Sequence, residues 1–188
     1  MTTQVSGCLR DANGRPFAVS PAALRWRGNG LARPECVLAS ADGDLFTADW
    51  RGGVAHIRPT GSQTLYAGAL PGGRTLRPNG IALRRSGAFL LADLGESQGG
   101  VFELGRDGSV RSFLEEVDGV ELPPSNFVAE DRLDRTWVTV STRLVPRTLA
   151  HRADVADGFV VLKDQRGARI VADHLGYTNE AHVSPDEE

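Results

Sequence analysis

The 188-residue sequence predicts an all-β fold, a β-propeller of about three blades plus one strand of a fourth. Three observations predict it. Four segments share one opening: Pro34-Glu35-Cys36-Val37, Pro78-Asn79-Gly80-Ile81, Ser125-Asn126-Phe127-Val128 and Thr178-Asn179-Glu180-Ala181. The Glu or Asn in second place recurs at blade-sized spacings of 44, 47 and 53 residues. Short alternating apolar runs, punctuated by Asp-Gly and Gly-Gly, read as consecutive antiparallel hairpins. No window of helical length carries a helical apolar period.

The elements follow in order. Residues 1–23 read as an N-terminal extension and 24–188 as the partial propeller, with units beginning near 35, 79, 126 and 179. Each opening leads into an inner strand and a turn, Asp42-Gly43-Asp44 in the first unit. Second strands follow at 45–49, 89–93 and 136–140. A glycine then opens third strands at 53–57, 100–104 and 158–162. After turns at Thr60-Gly61, Asp107-Gly108 and Arg166-Gly167 come fourth strands at 63–66, 110–113 and 168–171. Asn179 is expected to start the first strand of a fourth unit. Side chains that recur at one place in successive blades converge on the central axis, so the openings predict a site as well as a fold.

Composition sets bounds. With 40% hydrophobic and 24% charged residues the chain can build a core, and its 22 glycines suit a turn-rich β protein. A formal charge of −3 gives no electrostatic case for nucleic acid or an anionic membrane. No apolar run reaches spanning length, and residues 1–16 lack the charged-then-apolar order of a secretory signal, so a cytoplasmic setting is expected. Cys8 and Cys36 are too few for a disulfide scaffold and lack thiolate-site spacing. A closed propeller removes sheet edges, whereas three blades and a strand leave two. The sequence therefore predicts an incomplete ring, either truncated or covered by a partner, with open edges that favour self-association.

The chain resembles the SMP-30/gluconolactonase/LRE-like family, six-bladed propellers that include metal-dependent lactonases. The resemblance rests on Arg33-Pro34-Glu35, Ala48-Asp49-Trp50-Arg51-Gly52-Gly53, Arg77-Pro78-Asn79-Gly80-Ile81-Ala82-Leu83, Trp137-Val138-Thr139-Val140-Ser141-Thr142 and Gly176-Tyr177-Thr178-Asn179-Glu180. It covers roughly residues 24–186, the N-terminal part of such a propeller. It implies one divalent cation at the mouth of the central channel, Ca²⁺ ahead of Zn²⁺, Mg²⁺ or Mn²⁺. Glu35 and Asn179 match metal ligands, and Asn126 matches a residue facing the substrate or a metal-bound water. The family's remaining ligand, an Asp that is also a candidate base, belongs to a later blade. Pro123, Pro124 and Ser125 stand where the family has a substrate-contacting Arg.

Residue chemistry agrees with this expectation. Carboxylate and amide oxygens are hard donors suited to Ca²⁺, Mg²⁺ or Mn²⁺. If inner strands start at the metal-bearing face, second strands return to it, and the loops that follow lie beside the site. The loop after the third second strand, 141–157, is long and carries Arg143, Arg147, His151 and Arg152. Arg143 and Arg147 are its candidates for receiving a sugar lactone or product carboxylate, or else are ordinary surface charge. Asp49 and Asp93 are secondary candidates on the same face. The four histidines show no metal spacing, and there is no Gly-x-Ser-x-Gly elbow or phosphate-cradling loop. Trp26, Trp50 and Trp137 read as packing residues rather than stacking platforms. Two functions stay open: metal-dependent hydrolysis of small lactones, impaired by truncation, or a non-catalytic propeller remnant that binds a metal or a partner.

Overall fold

The structure, a computed structural model, describes residues 12–15 and 20–184. Cys8 and most of the expected extension lie outside the described residues; Pro21–Ala23 form a short 3-10 turn. Three four-stranded antiparallel sheets follow one another as blades. Blade 1 is β1 (Val37–Ala39), β2 (Leu45–Asp49), β3 (Gly53–Ile57) and β4 (Gln63–Ala67). Blade 2 is β5 (Pro78–Leu83), β6 (Phe89–Asp93), β7 (Val101–Leu104) and β8 (Val110–Leu114). A two-stranded hairpin, β9 (Glu116–Val117) and β10 (Val120–Glu121), leads into blade 3: β11 (Ser125–Glu130), β12 (Thr136–Val140), β13 (Gly158–Asp164) and β14 (Gly167–Leu175). Every blade pairs its strands in chain order, as the hairpin signals require.

Period-two alternation builds the core in two layers. In β6, Phe89 and Leu91 point to one side and join Phe46, Ala48, Val54, Ile81, Phe102 and Phe127 between blades 1 and 2. Leu90 and Ala92 point to the other and join Val101, Val128, Val138, Val140, Phe159 and Val161 between blades 2 and 3. Both faces of β6 are thus covered, which is why its sequence, Phe89-Leu90-Leu91-Ala92, is a continuous apolar run. In blade 1 every residue of β3 is buried, whereas Val37 and Val171 in the outer blades are exposed. Arg84 ties blade 2 to blade 3 by reaching Glu103 at 2.5 Å and Glu130 at 3.0 Å.

One sequence expectation needs correction. Residues 176–184 form no strand, so Asn179 does not begin a fourth sheet. A strand is a ladder, and among the described residues no neighbour pairs with this segment. The β9–β10 hairpin, in contrast, was not expected. Its turn residues Asp118 and Gly119 both have positive φ, 54° and 77°, the backbone that a two-residue hairpin turn needs.

Candidate functional site

The four repeated residues lie on one connected string. Asn79 Nδ2 donates to the Asn126 carbonyl at 3.1 Å and approaches Asn126 Oδ1 at 3.4 Å. Asn126 Nδ2 donates to Asn179 at both its Oδ1, 2.7 Å, and its carbonyl, 2.9 Å. At the other end Arg33 closes the series. Its Nη1 donates to Asn79 Oδ1 at 2.5 Å and lies 2.7 Å from Glu35 Oε2. Glu35, Arg33, Asn79, Asn126 and Asn179 therefore run from blade 1 across blades 2 and 3 to the segment beyond.

Backbone irregularities aim these side chains. The β5–β6 register slips between Pro78 and Ile81, at Asn79, and the β11–β12 register slips between Ser125 and Phe127, at Asn126. An extra residue at a bulge turns a side chain out of its normal alternation, and bulges concentrate beside functional sites. Gly80 serves the same region for a different reason. A Cβ there would meet Phe127 Cα at 2.5 Å and Val128 N at 2.8 Å, so glycine lets β11 come close enough for Asn79 to reach Asn126.

Asn179 is held without a ladder. Thr139 Oγ1 donates to its carbonyl at 2.6 Å, and Ser141 Oγ to the Thr178 carbonyl at 2.7 Å. Thr178 Oγ1 in return donates to the Val140 carbonyl at 2.7 Å. These three hydroxyls fasten the segment to the end of β12.

Asp49 and Asp93 have fully buried side chains and repeat a positioning role. Asp49 Oδ2 accepts from Ala32 N–H at 3.2 Å, and Asp93 Oδ1 from Arg77 N–H at 2.7 Å. Each carboxylate pins the chain entering the inner strand of its own blade. Burial works against the Asp49 charge, but hydrogen bonds from Arg51 and Ala32 outweigh it and hold the carboxyl below its ordinary value. Trp50 packs against two arginines of the chain. The guanidinium groups of Arg33 and Arg77 lie 4.6 and 5.6 Å from its ring centroid.

The long loop after β12 sits on the same face and contains a 3-10 turn, Arg147–Ala150. Arg143 is committed within the fold. It makes two hydrogen bonds to Asp173, 2.8 and 2.9 Å, one to the Asp157 carbonyl, and stacks on Phe159 at 4.3 Å. Arg147 Nε donates to Tyr177 Oη at 3.0 Å, and His151 Nε2 meets the same hydroxyl at 2.7 Å. Arg147 Nη1 is buried with no hydrogen-bond partner. Tyr177, two residues before Asn179, has a φ of 48°, so the loop cluster and the string share one turn of chain.

Whether these residues suit a cation can be judged from their donors. Each amide oxygen on the string keeps a second lone pair, and Glu35 adds a carboxylate, so the set fits a hard cation in kind. Among the described residues no group of three or more His, Cys, Asp or Glu is placed to hold a metal. Any cation would thus rely on amide oxygens and one bonded-in carboxylate. Burial pushes the Cys36 thiol up, the hydrogen bond to Ile81 opposes this, and the Glu180 and Glu35 charges add to the rise.

Sequence reasoning missed Arg33, Thr139, Ser141 and Tyr177 as parts of this site. Arg33 did leave a signal. Arg-Pro precedes both Glu35 and Asn79, in the same register as the repeat. The hydroxyl clamps left none, since Ser and Thr in strands are common.

No family model and no curated protein matches the chain. It is similar in structure to a gluconolactonase from Xanthomonas campestris, described as important in glucose secondary metabolic pathways. That match has a TM-score of 0.63 at 20% identity and covers 84% of this chain and 52% of the other. A structural-genomics target, a candidate gluconolactonase, matches with a TM-score of 0.56 at 14% identity over 78% of this chain and 50% of that one. The chain spans about half the length of these structures. No helix among the described residues is long and apolar enough to cross a membrane. The protein is an all-β propeller-type chain whose three blades follow the fold of gluconolactonase structures and do not close a ring.

Proposed function

We propose that this chain carries the substrate face of a propeller that hydrolyses small, sugar-type lactones with one divalent cation. The observation that supports the reading is the string itself. Residues from four successive openings are joined by hydrogen bonds at one end of the blades, on a fold similar to that of gluconolactonase structures. In this reading Glu35 and Asn179 hold the cation, Ca²⁺ ahead of Zn²⁺, Mg²⁺ or Mn²⁺. Such an ion supplies polarisation of a carbonyl and acidification of water. Asn126, midway along the string, orients the lactone with its amide. Arg147, on the loop beside the string, receives the carboxylate of the product, while Arg143 fixes the base of that loop. Hydrolysis adds water across the acyl C–O bond and opens the ring to a hydroxy acid, releasing a proton near neutral pH.

A pH-indicator assay on five- and six-membered sugar lactones tests the reading, with and without a chelator. Turnover is expected to be slow, since one carboxylate and one amide hold a hard cation weakly. It should fall at least tenfold on chelation and in Glu35→Gln. Asn126→Ala should lower turnover more than cation affinity, and Asn179→Ala should lower both. Turnover that ignores chelation and Glu35→Gln would refute the assignment. Cation binding without any turnover would favour the non-catalytic module.

A further inference from the structure

We propose that Arg33 is the site's own resident cation, a guanidinium that neutralises Glu35 and must swing away before a divalent ion can take that carboxylate. The inference rests on the reading of Glu35 and Asn179 as cation donors. It goes beyond that reading by naming the residue that sets the affinity.

Three contacts fix the guanidinium at the head of the string. It lies 2.7 Å from Glu35 Oε2 and 2.5 Å from Asn79 Oδ1, and its carbon is 4.6 Å from the Trp50 ring centroid. The backbone delivers it there. Arg33 has a φ of 50°, a left-handed conformation that a non-glycine residue holds only where its surroundings impose it. Pro34 follows and restricts the link to Glu35. The pair is half-buried, with both side chains 38% exposed, so the guanidinium has room to leave.

Charge decides the consequence. With Arg33 in place the Glu35 carboxylate is neutralised, and an arriving dication meets a full positive charge within a few ångströms of its only string carboxylate. That repulsion weakens binding directly. Trp50 provides the alternative seat. A guanidinium that releases Glu35 and Asn79 keeps its contact with the ring face, so displacement does not strand the charge. The site therefore has two arrangements, one with Arg33 bridging Glu35 to Asn79 and one with the divalent ion bound and Arg33 resting on Trp50 alone.

The test is a titration with Mn²⁺ by calorimetry, and with Tb³⁺ by its luminescence sensitised through Trp50. The 188-residue chain is compared with Arg33→Gln, Arg33→Met, Arg33→Lys and Glu35→Gln, each first checked by its melting curve. Gln keeps a donor for Asn79, and Met keeps the stem on Trp50, so a folding defect in one leaves the other to answer. Both are expected to bind Mn²⁺ about tenfold more tightly than the parent, while Arg33→Lys, which keeps the charge, stays within about threefold. Glu35→Gln is expected to lose at least tenfold. Unchanged or weaker binding in both neutral variants, with Glu35→Gln still impaired, would overturn the role of Arg33 and leave the cation reading standing. Parent-like binding in Glu35→Gln would overturn the cation reading and the proposal together.

Discussion

Gly80 offers the sharpest test of how the blades are spaced. An alanine methyl at this position would stand 2.5 Å from Phe127 Cα, 2.8 Å from Val128 N and 2.9 Å from Phe127 Cδ2. Two of these atoms are backbone of β11 and cannot rotate away, so blades 2 and 3 must separate locally. Gly80 shows no left-handed φ, so Ala can adopt its backbone, and the unfolded-state effect alone would stabilise by about 0.4–1 kcal/mol. Overpacking of a tight contact costs about 1–3 kcal/mol and outweighs that gain. The net expectation is a loss of about 1–2 kcal/mol, or roughly 2–8 °C in Tm for a chain of this size. Gly176→Ala is the internal control, since a Cβ there meets nothing within 4 Å. It should change stability by less than about 0.5 kcal/mol. Urea and thermal melts followed by circular dichroism read both variants. The contact from Asn79 to Asn126 crosses the same gap, so Gly80→Ala should also weaken Mn²⁺ binding, which Gly176→Ala should not. A Gly80→Ala protein as stable as the parent would show that the blades are not pressed together here, and the argument for glycine would fail.

Other expectations follow from buried polar contacts. Asp131 accepts from Leu133 N, Arg135 N and Nε, and Trp137 Nε1, so Asp131→Ala strands a guanidinium and an indole N–H and should cost about 2–4 kcal/mol in urea melts. Arg84→Met leaves Glu103 with Arg111 alone and takes from Glu130, whose side chain is 8% exposed, its ion pair; a loss of about 3 kcal/mol is expected, partly recovered by adding Glu130→Gln. Burial opposes the charges of Asp49, Glu103 and Asp131, yet hydrogen bonds and ion pairs hold all three carboxyls below their ordinary values. Carboxyls lowered in the folded state stabilise it fully above their unfolded values of about 4, and lose that contribution as pH falls through their lower folded values. Tm should therefore be level from pH 7 to about pH 5 and drop below about pH 4, less steeply in Asp131→Asn. Thr139→Val removes the hydroxyl clamp on Asn179 and should speed amide exchange at residues 179–184 while costing about 1 kcal/mol.

Much of the fold was legible because each blade is local in sequence. Hairpin turns carry their own chemistry, so 45–49, 89–93 and 136–140 were placed at the residues the structure gives them. The repeat register located Glu35, Asn79, Asn126 and Asn179, and the structure joins all four. The bridging residue was less legible, because nothing in a sequence says that an Arg two places before Glu35 turns back across to another blade. By composition alone Pro78-Asn79-Gly80 also suits a turn. Only the bulge at Asn79 and the approach of β11 at Gly80 show that it is buried and bonded to its neighbour. The failure at Asn179 has another cause. An opening motif specifies how a strand begins, whereas being a strand depends on a partner elsewhere in the chain.

The alternation within β6 reverses the usual sense of neighbourhood. Leu90 and Leu91 share a peptide bond, but one contributes to the seam with blade 3 and the other to the seam with blade 1. Leu90 answers to Val128 and Val138, Leu91 to Phe46 and Phe102. Substitutions at the two adjacent leucines should then combine additively, as if made in separate molecules, while a change at Leu91 should couple to one at Phe46 despite the length of chain between them. In such a protein, covariation would be read across repeats rather than along them.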